Sequence, residues 1–362
     1  MSRTRARIAS VGALTVALAA AATLVVPAAH AAPPDPPILK KWANPGIAKV
    51  GNGYVMLHTT DWAAKGAAAS ASKPNGPWKI AKDRPLLTKA PKWATAPAGA
   101  KQSRSVWAPS LIRGRNGTWV VYYAAPVRGS SSAPRCIGTG TSTSPLGPFV
   151  PDARPIACYK GSGTKPKDAV KNERSTSLID ATPSVVKGQT VLTYKTSHAY
   201  KQSGRTMWHT TIRMLRLNPD DPTKVLANPV HKNGASIQLT SVRHKYIEEN
   251  PSLIYRAGKF TLFTSWGWYG TRDQYWTRYR QSKQLWKAFP KSTRTLGFPK
   301  GTRTWGRGNA QAVVGLKKGT WNFFWNGHRP KSVRGEGPKY LYVGKLAWSG
   351  GKPRVSKVYK RG

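Results

Sequence analysis

The chain has 362 residues and a formal net charge of +46, from 59 Lys and Arg against 13 Asp and Glu, with 15 tryptophans and only two cysteines. The positive charge is spread from end to end, and no zinc-finger spacing, RNP signature or isolated basic helix accompanies it, so specific nucleic-acid recognition is not expected. Phosphate loops, dinucleotide fingerprints, serine-nucleophile elbows and His-Glu-x-x-His are all missing, and two cysteines do not make a zinc site.

Residues 1–31 read as an export signal. Arg3, Arg5 and Arg7 precede an Ala/Val/Leu-rich stretch from Ile8, and Ala29-His30-Ala31 supplies a small-x-small cleavage site. An uncleaved membrane anchor is the alternative, but the stretch is Ala-rich and breaks at Pro27. No later segment approaches the ~20 apolar residues of a spanning helix. The expectation is a secreted, monomeric protein, with no membrane contact after cleavage. Its mature part, residues 32–362, forms one domain and carries +43 once the three arginines are lost.

Past the signal, one phrase recurs. It is degenerate at Asp35-Pro-Pro-Ile-Leu and clear at Trp107-Ala-Pro-Ser-Leu-Ile, Asp180-Ala-Thr-Pro-Ser-Val-Val and Glu249-Asn-Pro-Ser-Leu-Ile, with a fifth copy at Gly308-Asn-Ala-Gln-Ala-Val-Val. The copies start 72, 73, 69 and 59 residues apart. Clear copies lead through a Gly turn to strand-like runs such as Trp119-Val-Val-Tyr-Tyr, Val191-Leu-Thr-Tyr and Phe260-Thr-Leu-Phe-Thr, rich in β-branched and aromatic residues. Ser72-Lys-Pro-Asn-Gly-Pro-Trp78 and Ser142-Thr-Ser-Pro-Leu-Gly-Pro-Phe149 read as matching outer turns. Helical periodicity is scarce, with Tyr279–Ala288 the best candidate. A unit of this length is too long for a helical solenoid and suits a four-stranded blade, so the expected fold is an all-β, five-bladed β-propeller. Cys136 and Cys158 are expected to pair in an exported chain, closing a loop worth ~3 kcal/mol.

Three copies open on a carboxylate: Asp35, Asp180 and Glu249. An Asp before a Pro is by itself an ordinary turn opener. Three at matching repeat positions, in a chain with 13 acids, point instead to a site where the inner strands converge. Glycoside hydrolysis needs one protonated and one ionised carboxyl group. Alternation along a strand lets only one of Glu248 and Glu249 face the channel, and register with the other copies selects Glu249.

These phrases and their spacing, over essentially the whole mature chain, resemble glycoside hydrolase family 43, five-bladed propellers acting on arabinan, xylan and related polymers. The resemblance implies single displacement with inversion. Asp35-Pro36 would hold the general base, Ile179-Asp180-Ala-Thr-Pro183 the Asp that tunes the acid and orients substrate, and Glu249-Asn250-Pro251 the general acid. Inversion requires acid and base ~6.5–9.5 Å apart. A surrounding positive field favours ionised carboxylates and so an acid-shifted optimum.

The chain departs from the family pattern where Ser110 follows Trp107-Ala-Pro and where Gly306-Arg307-Gly308-Asn309 replaces a Gly-Pro-Gly-His. That His usually lies near a central ion, so no metal ligand is assigned and no cofactor is expected to be required, with a structural calcium ion as an open alternative. Trp107, Arg307, Asn309 and His328 are the candidate substrate contacts, and Trp266, Trp268, Tyr269 and Trp276 could extend an aromatic platform. The expected partner is a plant polysaccharide, with acidic glycan or cell-wall surfaces attracted by charge. The rival reading is a non-catalytic propeller that binds anionic glycans or cell wall.

Overall fold

The computed structural model describes residues 36–94, 105–127, 134–171, 176–271, 274–328 and 340–362. The export segment and Asp35 lie outside the described residues. Five sheets follow one another along the chain, each built on an inner strand: Gly46–Val50, Ser105–Arg113, Ser177–Val186, Ile247–Arg256 and Trp305–Val314. These are the five blades of a β-propeller. Among the described residues there is no helix; Tyr279, expected to open one, sits in the strand Tyr275–Ser282.

The expected strand runs form the second strands, Trp119–Pro126, Gln189–Gln202 and Lys259–Gly267. They read as nearly continuous apolar runs because both faces of each blade are covered. Val121 and Tyr123 pack toward the first blade, while Val120 and Tyr122 pack toward the third. The same alternation gives one apolar cluster between each pair of neighbouring blades, five in all. Burying such side chains stabilises by roughly 1.5–3 kcal/mol each, which makes the interfaces between blades the core.

The first repeat copy proves to have another role. Ile38 N donates to Leu341 O at 2.8 Å and Leu341 N to Leu39 O at 3.0 Å, so the stretch after Asp35 closes the ring on the fifth blade. The first blade's own inner strand begins later, at Gly46, after Asn44-Pro45. The two matching outer turns are equivalent: Gly76 (φ +94°) and Gly147 (φ +69°) each precede a cis proline. Cys136 and Cys158 are disulfide-bonded, tying the third strand of the second blade to the short strand Ala157–Tyr159.

The third blade is enlarged. Its central hairpin, Gln189–Gln202 with Arg205–Leu217, is the longest of the structure, and Ile237–His244 pairs on its outer side. Trp208, on this hairpin, lines the mouth of the channel.

Candidate active site

Each inner strand reaches the channel through one residue in left-handed backbone conformation: Asn44 (φ +48°), Ala108 (+43°), Asp180 (+59°), Asn250 (+50°) and Asn309 (+46°). In blades two to five the strand pairing slips at this point, a bulge that re-aims side chains. Asn and Asp tolerate this conformation best among residues with a Cβ, and four of the five positions use them. The bulge also corrects the repeat register. Asp180 corresponds to Asn250, whereas Glu249 stands one residue earlier, at the level of Ile179 and Trp107. In blade one the matching residue is Asn44.

The mouth of the channel is a cavity of about 380 Å³ lined by residues of all five blades, among them Asn44, Trp107, Asp180, Lys195, Glu249 and Asn309. Sequence reasoning singled out Trp107, Asp180, Glu249 and Asn309, and the fold brings them together here. Glu249 is 7% exposed and forms an ion pair with Lys195, Nζ to Oε2 2.6 Å. Its other oxygen lies 2.8 Å from the Tyr275 hydroxyl, which also lies 2.8 Å from Asn250 Oδ1 and 2.6 Å from Asn309 Oδ1. One hydroxyl proton serves one acceptor, and the carboxylate is the strongest of the three, so Tyr275 donates to Glu249. Burial, and then the Glu249 charge, push the Tyr275 phenol well above its usual range, so it remains a neutral donor.

Asp180 is 5% exposed, and the Asn250 backbone N–H donates to its Oδ2 at 3.1 Å. Burial raises its pKa to about 7; Lys195 pulls it down, Glu249 pushes it up, and the Asn250 N–H pulls it down. Burial works against charge on Lys195 too, but Glu249 and Asp180 outweigh it and its pKa is raised. The site therefore holds two buried carboxyl groups of unlike character: Glu249 ion-paired, and Asp180 protonated below about pH 7.

Glu248 points away from the channel, as alternation requires. It is fully buried and pairs with Arg280, accepting also from Thr264 (2.8 Å) and Thr240 (3.2 Å).

The aromatic and polar contacts divide. Trp107 lines the pocket, and the Arg135 guanidinium covers one ring face at 3.4 Å from the centroid. Trp268 and Tyr269 line it as well, with Trp208 at 6.1 Å from Trp268. Trp266 and Trp276 do not; Arg278 lies over them at 4.7 and 5.7 Å. Nor does Arg307 reach the pocket, since its guanidinium donates to Thr304 O and Thr302 O and lies over Phe298. His328 is buried behind the wall, its Nε2 3.2 Å from Tyr269 O. Ser110 donates to Ala181 O and so joins the second and third blades.

Lys195, Tyr275, Trp208 and Asn44 escaped the sequence reading. A lysine inside the otherwise buried run Val191-Leu-Thr-Tyr-Lys was the available signal for the first. Tyr275 had none, because its role depends on Gly308: a Cβ there would lie 2.1 Å from Tyr275 Cε1, so only glycine leaves room for the ring whose hydroxyl reaches Glu249.

Below the site, residues from the bulge region of all five blades enclose about 30 Å³, roughly the room of a single water. Asp180 is the one carboxylate lining it, and among the described residues no set of three or more His, Cys, Asp or Glu converges as a metal site. Calcium takes six to eight oxygen ligands, carboxylates and amide and backbone carbonyls among them; the side chains here that carry such oxygens are Asp180, Asn44, Asn250, Asn309 and Gln311.

The profile of glycosyl hydrolases family 43 matches residues 34–353. Among solved structures, a thermostable family-43 glycoside hydrolase is similar at 16% identity and TM-score 0.66, over 90% of this chain and 95% of that one. An endo-1,4-β-xylanase from Bacteroides thetaiotaomicron is similar at 18% identity and TM-score 0.58, over 90% and 98%. An endo-1,5-α-L-arabinanase from Thermotoga petrophila is similar at 19% identity and TM-score 0.61, over 90% and 76%. At these identities the likeness establishes the fold. No curated protein sequence matches.

Proposed function

This chain belongs to the glycosyl hydrolases of family 43, and we propose that it is a secreted enzyme cleaving arabinose- or xylose-containing polysaccharide at the channel mouth by an inverting acid–base mechanism. The observation that carries this reading is the unlike pair of buried carboxyl groups. Hydrolysis of a glycosidic bond uses one carboxyl group that holds a proton and one that is ionised; here burial keeps a proton on Asp180 below about pH 7, while Glu249 is ion-paired with Lys195. The xylanase and arabinanase among the similar structures support the substrate class.

In this reading Glu249 protonates the leaving-group oxygen as the C–O bond breaks, and water adds to the anomeric carbon and loses its proton to a base. In the resting site the proton resides on Asp180. Entry of the sugar displaces Lys195 from Glu249 and lets the proton pass between the two carboxyls, which makes Asp180 the residue that keeps Glu249 supplied. Asp35, outside the described residues, is the proposed base. At the corresponding blade-one position Asn44 can orient a water through its carboxamide but cannot take its proton. The export signal at residues 1–31 and a monomeric state complete the proposal.

Two observations favour a second reading, a glycan-binding propeller without hydrolysis: an amide occupies the blade-one position, and a lysine neutralises Glu249. Sugar release from arabinan, arabinoxylan, xylan and aryl-glycosides by the wild type and by Glu249→Gln separates them. Release by the wild type that the variant loses supports the enzyme; binding without release by either supports the binding protein.

A further inference from the structure

A second cavity, of about 440 Å³, lies between the outer strand Ile237–His244 of blade three and the third strand of blade four, and shares no lining residue with the channel mouth. Thr240, Ser241, Arg278, Arg280, Lys291 and Thr293 give it its polar surface. Three cations thus meet in one cleft. Glu248 is the carboxylate in contact with them, through Arg280, and its two oxygens are already shared with Thr264 and Thr240.

The charge there is unbalanced. Arg280 is 4% exposed, and the Nε–H groups of both Arg280 and Arg278 are buried without a hydrogen-bond acceptor among the described residues. Arg278 donates to Thr293 Oγ1 at a long 3.3 Å. Its ring contacts with Trp266 and Trp276 hold the guanidinium plane in place. Burial, and then the like charge of Arg280, lower the Arg278 pKa. Of the three cations lining the cleft only Arg280 has a carboxylate partner among the described residues; uncompensated positive charge favours an anion, and the planar, forked guanidinium of Arg278 suits a carboxylate.

We propose that this cleft binds the carboxylate of a uronic acid residue, on an acidic side group or neighbouring stretch of the polysaccharide that the channel processes. The inference rests on the reading of the chain as a glycan-cleaving protein. The volume is of the order that encloses a small ligand of one or two rings, and Gln238, Ser241 and Thr293 supply hydroxyl and amide partners for a sugar. An anchored uronate away from the channel would select acidic polymers without touching the scissile bond.

The test is calorimetric binding of a galacturonic acid disaccharide, its methyl ester and inorganic sulfate to the full chain in the Glu249→Gln background, where turnover does not interfere. The proposal predicts binding of the disaccharide, at least ~10-fold weaker binding of the ester, as loss of a charge-assisted contact implies, and a similar loss in Arg278→Ala and in Lys291→Ala. A charge-matched control, Lys317→Ala with Lys318→Ala on the exposed hairpin of blade five, keeps the affinity. Equal losses in the control, or equal binding of acid and ester, overturn it. Sulfate bound as tightly as the uronate would also overturn it, since the cleft would then take any oxyanion without reading a sugar. Because binding is read without turnover, failure of the hydrolase reading would show separately, as absent sugar release by the wild type.

Discussion

Lys195 Nζ lies 2.6 Å from Glu249 Oε2, with the two side chains 4% and 9% exposed. Two charges this close and this dry are coupled far more strongly than a surface pair. The lysine stands on the second strand of blade three and the carboxylate on the inner strand of blade four. The contact therefore fixes two blades together and sets the charge of the proposed acid at once.

Removing the cation leaves Glu249 buried and unpaired. Lys195→Met is expected to lower the unfolding free energy by about 3 kcal/mol or more, read by denaturant unfolding. Lys195 also lowers the Asp180 pKa, so its loss raises that value further. The alkaline limb of the pH–rate profile then moves to higher pH in Lys195→Met; an unmoved limb would show that Asp180 does not govern it.

Asp180 also makes stability depend on pH. Its folded pKa of about 7 stands above the ordinary carboxylate value of 3.8, so folding favours the protonated form. The sign follows: this group costs nothing below pH 3.8, and its penalty grows as pH rises to about 7. Asp180→Asn removes the penalty and keeps an acceptor for the Asn250 N–H. The difference in Tm, variant minus wild type, is expected to grow more positive across this window and level off above it. A difference that is flat with pH would contradict the assignment.

The neighbouring glutamates separate by role. Glu248→Gln strips Arg280 of its counter-ion and is expected to destabilise by about 3 kcal/mol, while kcat of the folded fraction stays near wild type. Glu249→Gln is expected to abolish turnover while far-ultraviolet and near-ultraviolet circular dichroism keep the native shape. Thermal unfolding and sugar release on the same two samples check both halves.

Tyr275 and Gly308 act as one unit. Tyr275→Phe deletes a hydrogen bond to a charged partner, worth about 1.5–3 kcal/mol when buried. Gly308→Ala adds one methyl group yet forces the whole ring away from Glu249, because a Cβ would lie 2.1 Å from Tyr275 Cε1. The alanine variant is therefore expected to lose activity at least as severely as the phenylalanine variant. A fully active Gly308→Ala would sink this account of Tyr275.

Much of this was legible in the chain. The repeated Pro-Ser phrases, with Gly turns and aromatic runs behind them, mark three of the five inner strands, the looser Gly308-Asn-Ala-Gln-Ala-Val-Val marks a fourth, and alternation separates Glu249 from Glu248. The first blade misleads because its inner strand, Gly46–Val50, follows a weaker phrase, Asn44-Pro45, while the Asp35 stretch has the composition of a repeat and closes the ring instead. The bulge hides a second fact. Asp180 and Glu249 each open a repeat copy, but they stand three and two residues before their prolines, and the strand pairing aligns Glu249 with Ile179 and Asp180 with Asn250, so the two carboxyls lie at different levels of the channel. Arg307 and His328 were plausible only as polar residues near a repeat; whether such a side chain turns to the channel or to its own loop depends on backbone that spacing does not encode. Lys195 and Tyr275 enter the site from second and third strands, where long-range packing decides what they touch.

The most direct test follows sugar release from arabinan and xylan between about pH 4 and about pH 9, for the wild type, Asp180→Asn and Glu249→Gln. The account predicts a wild-type optimum below neutrality, with activity falling as pH rises through about 7, and losses of the order of 10³-fold in both variants, at the scale of general acid–base contributions. Wild-type turnover that survives in either variant would contradict the carboxyl pair as the centre of the chemistry.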